Sequence, residues 1–309
     1  MSITQIVSLF RSSGSDFIED DCQTQAAALS YYTIFSLPPL LLVLLMILGA
    51  LVDPQEIRGQ LETQIGALMG PTATEQVSSI LSQLHQPGAA GLLPTIVGIG
   101  GLILGATGAF GQLQAALNRA WEVAPDPTQG GVRGFLVKRL FSFGMILSVA
   151  FLLLVSLVLS AALSAFSGTL GRMLPNGLSV TLLQVLNLTV SFLVITALFA
   201  TIFKVLPDAK VAWRDVWVGA AVTALLFVVG KFLIGFYLGR SNPGQAFGAA
   251  GSLALLFAWV YYSAMILLFG AEFTQAWVER NGGSIAPQRG AVRVVEETKQ
   301  IRDGRAVPV

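Results

Sequence analysis

Charged residues are scarce in this chain of 309 residues, at 11% of the total, whereas soluble domains carry about 25%. Hydrophobic residues make up 54%, and the mean hydropathy is +0.73. This balance excludes an ordinary soluble domain and predicts a polytopic membrane protein. The net charge of +1 provides no extended basic surface, so no nucleic-acid partner is expected.

Cysteine and histidine are nearly absent, with Cys22 and His85 as the single examples. One cysteine cannot form an internal disulfide, and one histidine leaves little for a metal site. The G-x-x-x-x-G-K-[ST] motif for nucleotide phosphates is also missing. We therefore expect no cofactor, no metal and no enzymatic activity.

Six apolar segments are long enough to cross a bilayer as helices, which takes about 20 residues. The predicted spans lie near residues 28–52, 91–115, 136–166, 180–204, 213–238 and 250–278. Together they predict one all-α membrane domain over residues 1–280, with two amphipathic helices in the outside loop 53–90. Residues 281–309 are polar and lack an apolar period, which is typical of a disordered cytoplasmic tail.

Lysine and arginine are distributed unevenly between the two sides of these spans. With the N-terminus placed inside, 14 of the 18 lie in inside segments, three lie in outside segments and Lys231 lies within the fifth span. Because cytoplasmic loops are enriched in these residues, both termini are predicted to be cytoplasmic. Ser2 and Gln5 suit a capping box, and the apolar face that follows predicts a helix on the membrane surface.

Glycine and proline mark two further features of the spans. Four glycines of the second span recur at spacings of three and four residues and share one helical face, which predicts close helix packing. They are Gly98, Gly101, Gly105 and Gly108. Pro38 and Pro39 remove two backbone donors from the first span, which predicts a kink or a local break in the helix.

Lys231 is the one cation inside a predicted span, where a central lysine costs about 2.5–3.5 kcal/mol. It could snorkel to the outer headgroups, form an ion pair or face a polar cavity. Four polar residues of other spans could complete a substrate site with it. They are Tyr31, Tyr32, Asn187 and Tyr261. The charge of the lysine predicts an anionic substrate, held in a cavity that faces outward.

Glu272 interrupts the stretch LLFGAEFTQAW near the end of the sixth span. A carboxylate in an apolar run is costly unless it is paired. We predict an ion pair with Arg119, beside Asn118, that fastens two helices near the inner interface. Protonation is the alternative, because a desolvated carboxyl group can exchange a proton. Glu272 and Lys231 lie at different depths and are not predicted to pair.

Several stretches resemble the YihY/BrkB family of bacterial membrane proteins. They follow in order, with matching spacing, over roughly residues 20–280: AAALSYYTIFSLPPLLLVLL, ALNRAWEV, KFLIGFYL, FGAAGSLALLFAWVYYSAMILL and LLFGAEFTQAW. Phe247 departs from the pattern, because the family more often has tyrosine before this glycine. The resemblance implies an inner-membrane protein of six helices with both ends in the cytoplasm.

Members of this family have carried the name ribonuclease BN, whereas others are linked to serum resistance or suspected of moving envelope lipids. A hydrolytic nuclease usually needs metal ligands or an acid–base pair, which this sequence does not offer. The leading hypothesis is therefore a transporter or lipid flippase for an anionic substrate, with membrane lipids or an organic anion as partners. The alternative is a non-transporting membrane scaffold for cell-envelope assembly.

Overall fold

The computed structural model describes residues 2–49, 108–129, 178–241, 251–295, 299–302 and 305–308, with isolated positions at 59, 62, 63, 74, 78, 82 and 100. These residues are mainly helical, which confirms the predicted helical class. The helices are α1 (Ile3–Glu19), α2 (Cys22–Gly49), α3 (described over 108–120), α4 (Leu178–Val205), α5 (Trp213–Ser241) and α6 (Gly251–Arg280). A short 3-10 turn lies after α3, at Pro127–Gln129.

Three of the described helices are long and apolar enough to cross a membrane, namely Leu188–Val205 in α4, Trp213–Ile234 in α5 and Leu253–Arg280 in α6. They correspond to the fourth, fifth and sixth predicted spans. The first predicted span, up to residue 49, falls within α2, and the end of the second falls within α3. The third span, and the outside loop apart from six isolated positions, lie outside the described residues. The count of six spans and the orientation of the termini therefore stay predictions.

The two N-terminal helices both run along α6. Ser2 donates its N–H to the Gln5 side chain at 3.0 Å, which forms the predicted capping box at the start of α1. Along α1, the first turns contact Arg280 and the later turns contact Phe269, so α1 is antiparallel to the last three turns of α6. Asp21 has a φ of 52°, a left-handed conformation that aspartate tolerates, and there the chain passes into α2.

Helices α5 and α6 pack closely through two glycines and two threonines. Gly219 of α5 faces Thr274 of α6, and Thr223 of α5 faces Gly270. A Cβ atom at either glycine would lie 2.9 Å from the Cβ of the opposing threonine, so the two backbones approach within a distance that only glycine allows. Each threonine also donates its hydroxyl to the glycine carbonyl four residues earlier in its own helix, at 2.7 Å. We call these four residues the glycine–threonine seam.

Six short strands accompany the helices in the part of the chain that the structure describes. The strands are β1 (Val123–Pro125), β2 (Ala209–Lys210), β3 (Ala286–Pro287), β4 (Ala291–Arg293), β5 (Lys299–Arg302) and β6 (Arg305–Pro308). Three antiparallel pairs form: β1 with β4, β2 with β3, and β5 with β6. Two of these pairs join the C-terminal segment to the loops that follow α3 and α4.

Residues 281–295 of the C-terminal segment are therefore paired with the bundle, which the sequence did not predict, and disorder of the tail 281–309 stays a prediction. A left-handed Gly282, with a φ of 73°, turns the chain back after α6. Ile285 is then buried in the main core, which anchors the segment. Strands of two or three residues show no detectable apolar period, so this pairing could not be predicted from the sequence.

Candidate functional site

A cavity of about 970 Å³ lies at the end of the helix bundle that carries α1 and the C-terminal segment. Its wall combines the end of α1, the start of α2, one face of α3, the loop before β2, the last turns of α6 and the residues after β4. The polar amides on this wall are Gln25, Gln114, Asn118 and Gln275. The Oε1 atom of Gln275 is buried and has no hydrogen-bond partner.

The lining of this cavity is strongly acidic. Six carboxylates stand against two guanidinium groups: Asp16, Glu19, Asp20, Glu122, Asp208 and Glu279 against Arg119 and Arg293. We call this space the acidic cavity. The carboxylates are spread around the wall, and in the part of the chain that the structure describes no cluster of three or more metal-ligating side chains is present. Such a lining favours cations and protons over anions.

The acidity of the cavity perturbs Asp16 of α1. Burial raises the pKa of its carboxyl group, and the neighbouring Glu279, Glu19 and Glu122 raise it further. A carboxyl group with a raised pKa binds its proton more tightly in the folded state than in the unfolded state. Its contribution to stability is therefore fully present below the unfolded value, near pH 4, and is lost as the pH rises through the raised pKa.

We expect Asp16→Asn to stabilise the protein more at pH 8 than at pH 4. Asparagine removes the charge that the folded state tolerates poorly at the higher pH, whereas at the lower pH the raised pKa leaves less of that charge to remove. The measurement is thermal unfolding in detergent micelles over a pH series of the two proteins. If the thermal stability of both proteins depended on pH in the same way, the raised pKa of Asp16 would be contradicted.

Glu272 is almost fully buried, at 1% exposure, directly behind the wall of the acidic cavity. The thiol of Cys22 donates to its Oε1 atom at 3.3 Å, and the Asp20 carboxyl group is a second hydrogen-bonding neighbour. Asp20 also lines the cavity, so it connects the buried carboxyl group to the cavity. Two carboxyl groups can share a hydrogen bond only when one of them holds a proton.

The contacts of Glu272 include two residues that were not predicted. Glu272 joins α6 to the junction of α1 and α2, through Asp20 and Cys22, and the ion pair with Arg119 stays a prediction. Burial raises the pKa of the Cys22 thiol, the proximity of Glu272 raises it further, and the charge of Arg119 opposes the shift. The thiol thus stays neutral and acts as a hydrogen-bond donor.

Arg119 and its neighbours place α3 against the rest of the bundle. Arg119 is exposed on the cavity wall. Asn118 does form a clasp, but with Asp208: its Nδ2 donates to Oδ2 at 2.9 Å, and its Oδ1 accepts the Asp208 N–H at 2.8 Å. Trp121 donates its Nε1–H to the carbonyl of Ala271 at 3.0 Å, next to Glu272. Trp121 lies in the family-like stretch ALNRAWEV, but no role was predicted for it.

Lys231 lies elsewhere in the bundle, half-buried on α5. Its neighbour Gly230 packs against the ring of Tyr262, which places Lys231 at the level of Tyr262 on α6. Tyr262 precedes Glu272 by ten residues, or about 15 Å along the helix. Lys231 and Glu272 are thus well separated, as expected, and Lys231 does not line the acidic cavity.

The three predicted substrate-site tyrosines occupy two different environments. Tyr31 and Tyr32 are both exposed on α2 and contact each other edge to face, with ring centroids 5.7 Å apart. Tyr261 packs against the main core. Among the described residues, none of these three lines the acidic cavity. The side chain of Asn187 lies outside the described residues, so its assignment to this site stays a prediction.

The predicted glycine and proline features are only partly described. A Cβ at Gly108 would lie 2.7 Å from Cδ1 of Tyr32, so α3 approaches α2 closely at this glycine. The other three glycines of that face lie outside the described residues. They are Gly98, Gly101 and Gly105. Helix α2 continues through Pro38 and Pro39 without a break in its assignment, and the predicted kink stays a prediction.

Long apolar helices around a buried core define this chain as a helical integral membrane protein. It belongs to the family described as "Virulence factor BrkB", whose family model matches residues 14–293. This confirms the resemblance carried by the stretches around the two tyrosines, Trp121 and Glu272. No solved structure matches the chain.

Three bacterial relatives, each named a UPF0761 membrane protein, show the same class. That of Rhodospirillum centenum is 30% identical and aligns with 84% of this chain and 55% of its own length. That of Alcanivorax borkumensis is 29% identical, over 85% of this chain and 58% of its own length. That of Pseudoalteromonas atlantica is 28% identical, over 82% of this chain and 81% of its own length. The chain thus spans little more than half the length of the first two relatives.

Proposed function

We propose that the protein is a transporter or lipid flippase of the bacterial inner membrane, and that the acidic cavity is its cytoplasmic vestibule. The observation that carries the proposal is the buried Glu272 behind this cavity, linked to it by Asp20. The loops that line the acidic cavity belong to the predicted inside segments, which hold 14 of the 18 lysine and arginine residues. This excess supports a cytoplasmic location for the cavity. A buried carboxyl group with a connection to water is the arrangement that proton relays use in membrane proteins.

The substrate and the coupling ion would occupy different positions in the bundle. The excess of carboxylates in the acidic cavity disfavours an anion there and favours a proton or another cation. Lys231, about 15 Å away along the helices, has the charge that suits an anionic group such as a phospholipid headgroup or an organic anion. We therefore propose that an anionic substrate is held at the level of Lys231 and that a proton passes through Asp20 and Glu272.

The test measures exchange of a fluorescent anionic phospholipid between the leaflets of proteoliposomes, with an impermeant quencher outside and with and without a pH gradient. We expect the wild-type protein to accelerate exchange, Lys231→Met to abolish the acceleration, and Glu272→Gln to remove its response to the gradient. Lys210→Met makes the same chemical change at an exposed residue of β2 and should behave as the wild type.

Two results would reject this function in whole or in part. If folded Lys231→Met exchanged anionic phospholipids and organic anions at the normal rate, Lys231 would have no role in the mechanism. If folded wild-type protein moves no anionic probe, the non-transporting scaffold becomes the better explanation, because a scaffold needs neither Lys231 nor a titrating Glu272.

A further inference from the structure

Residues 281–295, here called the strap, run back across the end of the bundle after α6. Strand β3 pairs with β2, and β4 pairs with β1, so the strap contacts the loops after both α3 and α4. Gln288 strengthens the first attachment, because its Nε2 donates to the Ala209 carbonyl at 2.9 Å and its N–H donates to the Asp208 carbonyl at 2.8 Å.

The last residues of the strap form part of the wall of the acidic cavity. Arg293, Val294 and Val295 all line it. Arg293 forms an ion pair with Glu122 at 2.9 Å, and the Val294 N–H donates to the Glu122 carbonyl at 2.8 Å. Glu122 has a φ of 51°, a left-handed backbone that is unfavourable for glutamate. One strained residue therefore holds this end of the strap by both its side chain and its backbone.

The two ends of the strap differ in how firmly they are held. The beginning is fixed by Ile285, which is buried in the main core. The end is held by a three-residue strand and by an ion pair whose two side chains are about half exposed, and exposed pairs contribute little. Gly290, with a φ of 84°, separates the two parts and provides a point at which the chain can bend. Local opening is expected where few buried contacts hold a segment.

We propose that residues 291–295 act as a gate on the acidic cavity, closed in this structure and opened by separation of β4 from β1. Opening would widen the route from the cytoplasm to Asp20 and leave β3 and Ile285 in place. The physiological use of the gate rests on the proposed transport function, but its movement does not, so the two can be tested separately.

Cysteine labelling can measure access to the cavity directly. Gln114→Cys places a thiol on the α3 wall of the cavity, and the native Cys22 contributes little background because it is buried with a raised pKa. The probe is a polar, membrane-impermeant maleimide, and the modified residue is identified by mass spectrometry. Thr4→Cys, at an exposed polar position of α1 away from the cavity wall, reports any general change in reactivity.

Arg293→Glu should open the gate, because it replaces the ion pair with two like charges. We expect the Gln114→Cys thiol to react about fivefold faster, the factor that an exposed ion pair can contribute. Lys210→Glu, a charge reversal on β2 away from the cavity wall, is the matched control and should leave the rate unchanged.

A disulfide provides the opposite change and does not depend on the folding of the first variant. Ala124 and Val292 are direct partners in the β1–β4 pair, a separation that a disulfide can bridge. Oxidised Ala124→Cys/Val292→Cys should label more slowly at position 114 than the protein without the bridge, and reductant should restore the rate. Equal labelling in the oxidised and reduced states would overturn the gate, whatever the exchange assay shows.

Discussion

Gly270→Ala is expected to destabilise the protein by about 1–3 kcal/mol, the range for an extra group forced into a well-packed interior. The new methyl group would lie 2.9 Å from the Cβ of Thr223, a distance that cannot be relieved by rotating the threonine. The backbones of α5 and α6 would have to separate. Gly219→Ala should have the same effect, because its Cβ meets Thr274 at the same distance. The measurement is denaturant or thermal unfolding in detergent micelles.

Two glycines in open surroundings provide matched controls. A Cβ at Gly14 in α1 or at Gly111 in α3 would have no atom within 4 Å. Alanine favours a helix by about 1 kcal/mol over glycine, so Gly14→Ala and Gly111→Ala should be neutral or stabilising. The double variant Gly270→Ala/Thr223→Ala should recover part of the lost stability, because the opposing side chain is then smaller. If Gly270→Ala were as stable as Gly111→Ala, the glycine–threonine seam would not determine the packing of α5 on α6.

The seam illustrates what the sequence can and cannot predict about this fold. The membrane class and the positions of α4, α5 and α6 follow from long apolar runs, since a run of this length has few other stable states. The pairing of Gly219 with Thr274 does not follow, because each helix alone shows only a glycine and a threonine four residues apart. Which helices meet depends on the whole bundle.

The candidate site, too, could be predicted only in part from the sequence. The isolated carboxylate in an apolar run singled out Glu272, whose role of fastening helices stays a prediction. Its contacts with Asp20 and Cys22 were not predicted, because the sequence does not show that the N-terminal helices lie beside α6 at this level. The acidic cavity was missed for a related reason. Its carboxylates come from four separate segments, and they looked scattered along the chain.

Trp121→Ala is expected to be among the most damaging single substitutions in the described part of the chain, at about 3–5 kcal/mol. Trp121 is 2% exposed, packs edge to face on Phe203 with ring centroids 6.1 Å apart, and donates to the Ala271 carbonyl. Its removal would leave a large void between α3, α4 and α6. Unfolding in detergent micelles measures the loss, and Trp213→Ala, at a residue 52% exposed, should cost much less.

Trp121→Phe separates the packing of the ring from the hydrogen bond to α6. Phenylalanine fills most of the same volume but cannot donate to the Ala271 carbonyl, and a lost buried partner costs about 1–3 kcal/mol. We therefore expect Trp121→Phe to lie between the wild type and Trp121→Ala. Because Ala271 adjoins Glu272, Trp121→Phe should also loosen the cavity wall and speed maleimide labelling of Gln114→Cys, whereas Trp213→Ala should not. If Trp121→Phe changed neither stability nor labelling, the indole would serve only to fill space, and α3 would be held against α6 by the Asn118–Asp208 clasp and the core alone.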